Sequence, residues 1–475
     1  MPDYDVAVIG AGAAGLSVSG VAAQLGLRTA LIERDRMGGD CLNAGCVPSK
    51  ALLAAAHAAQ TARAASRYGV FLPEPRIEWA AVQAHVKGVI EGIAPLDSEA
   101  RYRDLGADVV RGEARFAAPG TLAVRLPGGE RRITARRIVI AAGSRAAVPR
   151  LPGLDVVPYL TNATLFDVPD QPEHLLILDG GSIGLEMAQA HAALGSRVTM
   201  IESHRLAGRE DPELTDVLRQ ELLRNGVNIL EGMAVAAVEP GPTLVLADGR
   251  RVTGSHLLVA VGRTPNLDGL ALGDGHVAVT ERGVAVDAGL RSTSNKRVYA
   301  VGDIADPVGL GPRYLTHVGS YHAGLVVRRA MFRLPARLDY AALPRVTYTD
   351  PELAQVGLTE AEAHAAGLAV DILRWRLDEN DRARTERRME GLVKLVVGKR
   401  GRVLGAGIAA PHAGEMIGAW TLAIARQVPL SAMANMIVPY PTRAEAAKRA
   451  AGSLLLSRLF APRVQWVARQ IARFG

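Results

Sequence analysis

The sequence predicts an α/β protein with two parallel-sheet units of strand–helix–strand type, followed by a smaller α+β unit. Three observations carry this. An apolar run, a glycine-rich turn, a helical stretch and a second apolar run ending in an acid occur twice, starting near residues 5 and 175. The last glycine of each turn precedes its acid by the same interval, 15 to 33 and 184 to 202. Beyond about 342 the pattern changes to short strands, a Gly398-Lys399-Arg400-Gly401 hairpin turn and closing helices. A chain of 475 residues is also too long for one core, so several units are expected.

Residues 5–9 form an apolar run fit for a buried parallel strand, and Gly10-Ala11-Gly12-Ala13-Ala14-Gly15 follows at once. A helix is expected over 16–25, then a strand over 28–32 that ends on Glu33. In this context the glycines permit a tight turn and close approach of a pyrophosphate. The helix N-terminus receives the phosphates, and the acid receives a ribose hydroxyl. The unit is therefore Rossmann-like. A strand over 175–178, Asp179-Gly180-Gly181-Ser182-Ile183-Gly184, a helix over about 185–194 and a strand over 197–201 ending on Glu202 repeat it. Two such units predict two dinucleotides. The second copy departs at Asp179, which stands where its first glycine belongs. Asp tolerates unusual backbone angles, so the turn survives, but a carboxylate is set beside the expected pyrophosphate.

Between the copies, 51–67 and 79–104 read as helices, and 107–148 as short strands with a Pro127-Gly128-Gly129 turn. After the second copy, 257–263 reads as a strand leading to Thr264-Pro265-Asn266. Val298-Tyr299-Ala300-Val301-Gly302-Asp303 is another, with its acid where ligands of open α/β sheets bind. In the last unit strands are expected at 346–348, 369–375, 392–397 and 403–408, with helices at 414–426 and 443–460.

The chemistry concentrates in Gly38-Gly39-Asp40-Cys41-Leu42-Asn43-Ala44-Gly45-Cys46-Val47-Pro48-Ser49-Lys50, which holds both cysteines of the chain. Extended, they would lie roughly 17 Å apart, far beyond disulfide reach. Gly45 permits a bend, and Pro48 suits the first turn of a helix starting beside Cys46. A helix N-terminus and Lys50 favour thiolate over thiol. A structural staple gives little to a chain this large, a zinc half-site lacks further cysteines, and inert cysteines need no such setting. A redox-active pair is the better reading.

Net charge is +7, carried by arginines scattered among few aromatics, which disfavours a nucleic-acid surface. Lysine is rare here: only six of the 55 basic residues are Lys, and Lys50 is one of them. The uncharged run 6–27 imitates a signal or membrane span. However, Asp3 and Asp5 precede it, and its glycines at 10, 12, 15, 20 and 26 belong largely to the dinucleotide turn. A cytoplasmic protein is expected, in a compartment that lets a cysteine pair cycle.

Taken together, these residues resemble the class I pyridine nucleotide–disulfide oxidoreductases, which include dihydrolipoamide dehydrogenase, glutathione reductase and mercuric reductase. The resemblance rests on Gly38–Lys50, Val301-Gly302-Asp303, and Thr349-Asp350-Pro351-Glu352 with Val356-Gly357. It implies an FAD-binding domain at 1–150, an NAD(P)-binding domain at 151–270, a return to the central region at 271–340 and a dimerisation domain at 341–475. By the same resemblance Gly10, Gly12, Gly15, Glu33, Gly39, Lys50, Gly143 and Asp303 hold FAD. Gly181, Gly184, Glu202 and Gly262 serve the nicotinamide dinucleotide, NAD(H) or NADP(H). Cys46 lies against the flavin, Cys41 meets substrate, and Lys50 pairs with Glu186. The protein is implied to be a homodimer in which the last domain serves the partner's site. No resident metal site is implied.

Disulfide-handling members carry His-Pro-Thr near the C-terminus, with a Glu five residues after the His. Here the stretch reads Tyr440-Pro441-Thr442-Arg443-Ala444-Glu445. Tyrosine titrates near pH 10, so Tyr440 is a poor proton shuttle for thiols, and mercuric reductases carry Tyr at this place. Their terminal cysteine pair has no counterpart among the two cysteines of this chain. The expected function is reduction of the Cys41–Cys46 pair by NAD(P)H through FAD, and then of an electrophile such as a metal ion or small disulfide. Dihydrolipoamide dehydrogenase is the alternative. A flavoprotein whose redox state gates partner binding is a third reading. At Glu202 the carboxylate favours NADH, with His204 and Arg205 as offsetting cations. The end of the chain, 463–474, places Val464, Val467, Ala468 and Ile471 on one helical face. Packing on the dimer is preferred there to contact with a membrane surface.

Overall fold

The computed structural model describes residues 1–473, apart from the side chains of residues 457 and 458. β1 (Tyr4–Ile9), α1 (Ala13–Gln24) and β2 (Thr29–Glu33) form where the apolar runs and the glycine turn dictate. β1 pairs in parallel with β2 on one side and with the end of the long strand Gly129–Ile140 on the other. Val298–Ala300 joins that long strand from far along the chain, which brings Asp303 back to the first sheet. The turn after Leu126 makes Thr121–Leu126 and Gly129–Ile140 an antiparallel hairpin.

The second copy has its own sheet of four parallel strands, ordered Asn228–Glu231, Arg197–Glu202, His174–Leu178 and His256–Val259. Its helix spans Ser182–Ala193. The last sheet has five strands, with the hairpin Leu392–Gly398/Arg402–Ala410 at its heart. Helices Ala413–Ala425 and Ala444–Leu459 pack on this sheet through Ile417, Trp420, Ala446 and Ala450.

Three expected elements differ. The helix expected over 79–104 is broken into Trp79–Ile93, a 3₁₀ turn Ala94–Asp97 and Glu99–Asp104. Pro95 lacks an amide hydrogen, and Ser98 starts the new helix by accepting from the Arg101 amide. The strand expected over 257–263 stops at Val259. Gly262, at φ +126°, then turns the chain so that Arg263–Pro265 pairs antiparallel with Ser144–Ala146. The helix read over 51–67 is continuous with the turn at Pro48: it begins at Cys46, as that proline indicates, and ends at Ala64. Near the C-terminus the helix Pro462–Ile471 leaves Val464, Trp466, Val467 and Ile471 exposed. Phe474, at the end of the stretch read as helical, lies outside the described residues. Among the described residues no helix is long and apolar enough to cross a membrane.

Candidate active site

Cys41 lies in the short helix α2 (Gly39–Ala44), and Cys46 opens α3 (Cys46–Ala64). The bend between them depends on Gly45, where a Cβ would stand 3.0 Å from the Asp40 carbonyl oxygen. Both cysteines are thiols, in hydrogen-bond contact with each other. The Thr316 hydroxyl lies 3.2 Å from Cys46 Sγ. Lys50, one turn into α3, is paired at 2.7 Å with Glu186, which is buried in the helix Ser182–Ala193. The other oxygen of Glu186 accepts the Tyr348 amide at 2.9 Å, and Lys50 Nζ stands 4.5 Å above the Tyr348 ring. The two thiols divide their protons unequally. Cys46 is held well below the ordinary thiol range, chiefly by the Cys41 thiol donating to it and then by Thr316 and Lys50. Cys41, which keeps the shared proton by donating to Cys46, is pushed up, and burial adds to the shift.

The two glycine turns superimpose in their bonding. The Ala11 amide donates to Glu33 Oε2 at 2.6 Å, and the Gly180 amide donates to Glu202 Oε2 at 2.7 Å. Asp35 and His204 donate their amides to the other oxygen of the same acids, each at 2.7 Å. A Cβ on Gly15 would fall 1.9 Å from the Gly10 carbonyl oxygen, and one on Gly184 would fall 2.3 Å from that of Asp179. These glycines therefore let each helix start directly against its own turn. Gly39 serves the first copy in the same way: its Cβ would meet Gly12 Cα at 2.7 Å.

A polar bridge ties the first copy to the cysteine helices. Asp303 accepts the Ser144 hydroxyl at 2.5 Å, and Ser144 accepts Arg263 Nε at 2.6 Å. Arg263 also donates to Asp40 at 2.6 Å, and Asn162 donates to Asp40 and to the Ala44 carbonyl. Burial raises the Asp303 carboxyl above its usual range. Gly143 and Gly262 flank this bridge at positive φ, and a Cβ on either would project into open space.

Comparison with known proteins shows the family. Residues 4–330 match the pyridine nucleotide-disulphide oxidoreductase family, and 343–451 match its dimerisation domain. The chain is 40% identical over 462 residues to a mercuric reductase of Streptomyces lividans, covering 94% of this chain and 95% of that one. It is 35% identical over 463 residues to dihydrolipoyl dehydrogenase 2 of Haloarcula marismortui, covering 94% and 96%. It also resembles the Cu(II) complex of an HOCl-induced flavoprotein disulfide reductase from Escherichia coli, with TM-score 0.85 and 26% identity over 96% of this chain and 100% of that one. The chain belongs to the pyridine nucleotide–disulfide oxidoreductases.

As a member of that family it is a flavin-dependent NAD(P)H oxidoreductase acting on a sulfur group or a metal ion, and its dimerisation domain supports a homodimer. The first copy fits FAD. No side chain caps α1, and a Cβ on Gly12 would have only Gly39 within 4 Å. Glu33 ends β2, and Asp303 lies in the 3₁₀ turn Gly302–Ile304 just after the strand Val298–Ala300 of the same sheet. The second copy fits a dinucleotide in its backbone but carries Asp179 over the helix start.

Among the described residues, no hydrogen bond or ion pair joins Tyr440 or Glu445 to the cysteines of the same chain. Tyr440 is exposed and donates to Asp381 at 3.0 Å, while Glu445 accepts from Arg449 at 2.7 Å. Six polar residues at the site went unpredicted: Thr316, Tyr348, Ser144, Asp40, Asn162 and Arg263. Ser144, Asp40 and Arg263 adjoin predicted residues in the chain (Gly143, Gly39 and Gly262), and that adjacency was the available signal. Thr316 is 270 positions from the sulfur it touches, and no local pattern marks it.

Proposed function

We propose that the acceptor is a soft divalent metal ion of the mercuric kind, with small disulfides served poorly. Tyr440 carries this reading. Its hydroxyl is bound to Asp381, whose proximity pushes the phenol above its already high range. Such a group does not exchange protons with leaving thiols at neutral pH. A soft ion makes no such demand, because it binds as a dithiolate and releases the thiol protons to solvent. Bound FAD supplies the electron pair drawn from NAD(P)H. The chain supplies the rest. Thr316 and Lys50 keep Cys46 as thiolate, the Gly45 bend holds Cys41 beside it, and Glu186 fixes Lys50. The mercuric reductases among the relatives and the Cu(II)-bound Escherichia coli reductase support the assignment. In the dimer, Tyr440 and Glu445 serve the partner's cysteines, and a reducing cytoplasm lets the pair cycle.

Dihydrolipoamide dehydrogenase is the second reading, favoured by the retained Glu445 and by the Haloarcula relative. Steady-state rates with Hg(II), Cu(II), lipoamide and glutathione disulfide separate the two. Metal ions should be reduced faster than either disulfide. Tyr440→His should raise disulfide turnover at least about tenfold, within the range a matched base supplies. Tyr440→Phe should leave disulfide turnover nearly unchanged. High wild-type lipoamide activity that collapses in Tyr440→Phe would reverse the assignment.

A further inference from the structure

The two glycine turns of this chain differ in one functional respect. Gly10 and Asp179 occupy the same place and nearly the same backbone angle, φ +100° and +98°. Glycine adopts that angle freely, whereas for Asp it is a strained choice. The Asp179 side chain folds over the start of the helix Ser182–Ala193, and its Oδ2 accepts the Gly181 amide at 2.8 Å. Gly181 is the residue that opens that helix, so its amide is among those a pyrophosphate takes in a dinucleotide turn. A Cβ on Gly181 would stand 2.7 Å from the same oxygen, which shows how closely the carboxylate covers the amide. In the first copy a Cβ on the corresponding Gly12 would have only the Gly39 backbone within 4 Å, with no side chain over it.

We propose that Asp179 is an internal occupant of the nicotinamide nucleotide's pyrophosphate site, which the nucleotide must displace and which sets its affinity through a linked proton. The proposal rests on the second copy being the nicotinamide site. The carboxylate and the pyrophosphate are both anions competing for one helix N-terminus. When the nucleotide takes the amide, an ionised Asp179 is left beside it and repels it. A protonated carboxyl does not, so binding draws one proton from solvent for each nucleotide bound.

The surroundings of Asp179 favour such a proton. Glu202, at the end of the neighbouring strand, is within hydrogen-bond contact of Asp179 and adds a second negative charge. Arg209, in the loop before the helix Pro212–Arg224, is the opposing cation. No acidic residue lies in the first turn of the helix Ser182–Ala193. Burial is the largest influence; it outweighs the Gly181 amide, Glu202 adds to it against Arg209, and the Asp179 carboxyl is pushed up to about 6. Free enzyme at neutral pH is therefore mostly ionised at Asp179, and the nucleotide-bound form is not. The first copy, with glycine at this place, binds its dinucleotide without that linkage.

The test titrates ADP-ribose, which carries the pyrophosphate and no redox group, into the oxidised FAD-loaded dimer by calorimetry. Buffers of different ionisation enthalpy count the protons. Wild type should take up close to one proton per site at pH 7.5, and Kd should rise about tenfold from pH 7 to pH 8. Asp179→Asn keeps the shape and an acceptor for Gly181, and Asp179→Gly restores the first copy's residue. Both should bind at least about tenfold tighter at pH 8 and take up no linked proton. A wild-type Kd that is flat with pH and equal to that of Asp179→Asn would overturn the proposal while leaving the nucleotide site in place. If neither wild type nor either variant binds ADP-ribose, the second copy is not the nucleotide site and the proposal falls with it.

Discussion

At the scale of single residues, the cysteine pair is a matter of where one proton sits. Thr316, Lys50 and Cys41 all stabilise negative charge on Cys46. In Cys41→Ser, the Cys46 thiolate should give a long-wavelength absorbance in the oxidised FAD-loaded enzyme. That absorbance should be lost as pH falls through a midpoint below the ordinary thiol range. Thr316→Val should move the midpoint upward, and Cys46→Ser should show no such band; a band persisting in Cys46→Ser would exchange the roles of the two sulfurs. Nucleotide choice is also decided by single residues. Glu202 is buried, with backbone amides on both oxygens, and Arg205 is occupied by the Gly208 and Glu210 carbonyls. A 2′-phosphate therefore meets a fixed carboxylate, while Arg205 is turned to backbone carbonyls. NADH should exceed NADPH in kcat/KM by about tenfold or more, and an NADPH preference would remove Glu202 as the selector.

At the scale of elements, the helix Ser182–Ala193 does two jobs with opposite faces. Glu186 reaches Lys50, while His191 is buried with neither ring nitrogen hydrogen-bonded, its ring 5.6 Å from that of Trp79. Burial lowers the His191 pKa to about 4. An unfolded chain binds that proton near pH 6.5, so between 6.5 and 4 the unfolded state holds more protons than the native one. Stability from this residue is complete above pH 6.5 and falls as pH drops toward 4, by up to about 3 kcal/mol. His191→Leu should flatten the decline of Tm between pH 6.5 and 4.5 without lowering Tm at pH 8. An unchanged slope would mean that other groups control acid unfolding. The sequence marked this helix by its glycine turn. Its buried histidine gave no local signal, because the strand and helix that enclose it come from elsewhere in the chain.

At the scale of the whole molecule, the second copy is joined to the last sheet by a buried cation. Lys394 lies in the central hairpin of that sheet, its side chain 3% exposed, and pairs with Asp211 at 2.8 Å, Glu213 at 2.5 Å and Glu360 at 2.6 Å. Lys394→Met leaves the buried Asp211 carboxylate without its cation, a loss on the order of 3–5 kcal/mol, and should lower Tm markedly. Lys394→Arg should recover part of it; a Tm within about 1 °C of wild type in Lys394→Met would show that the cluster adds nothing. By itself the sequence determined what local rules govern. Apolar runs, glycine spacing and terminal acids placed both glycine turns, and the Gly38–Lys50 stretch singled out the two cysteines as a redox pair. These features depend on backbone sterics and short-range periodicity, which neighbouring residues set. Only the tertiary structure decided which side chains complete the site. Thr316, Tyr348, Arg263 and the Asp179 carboxylate over Gly181 acquire their roles from contacts or rotamers that close after folding. Contacts between segments up to 270 positions apart leave no periodic trace in the chain.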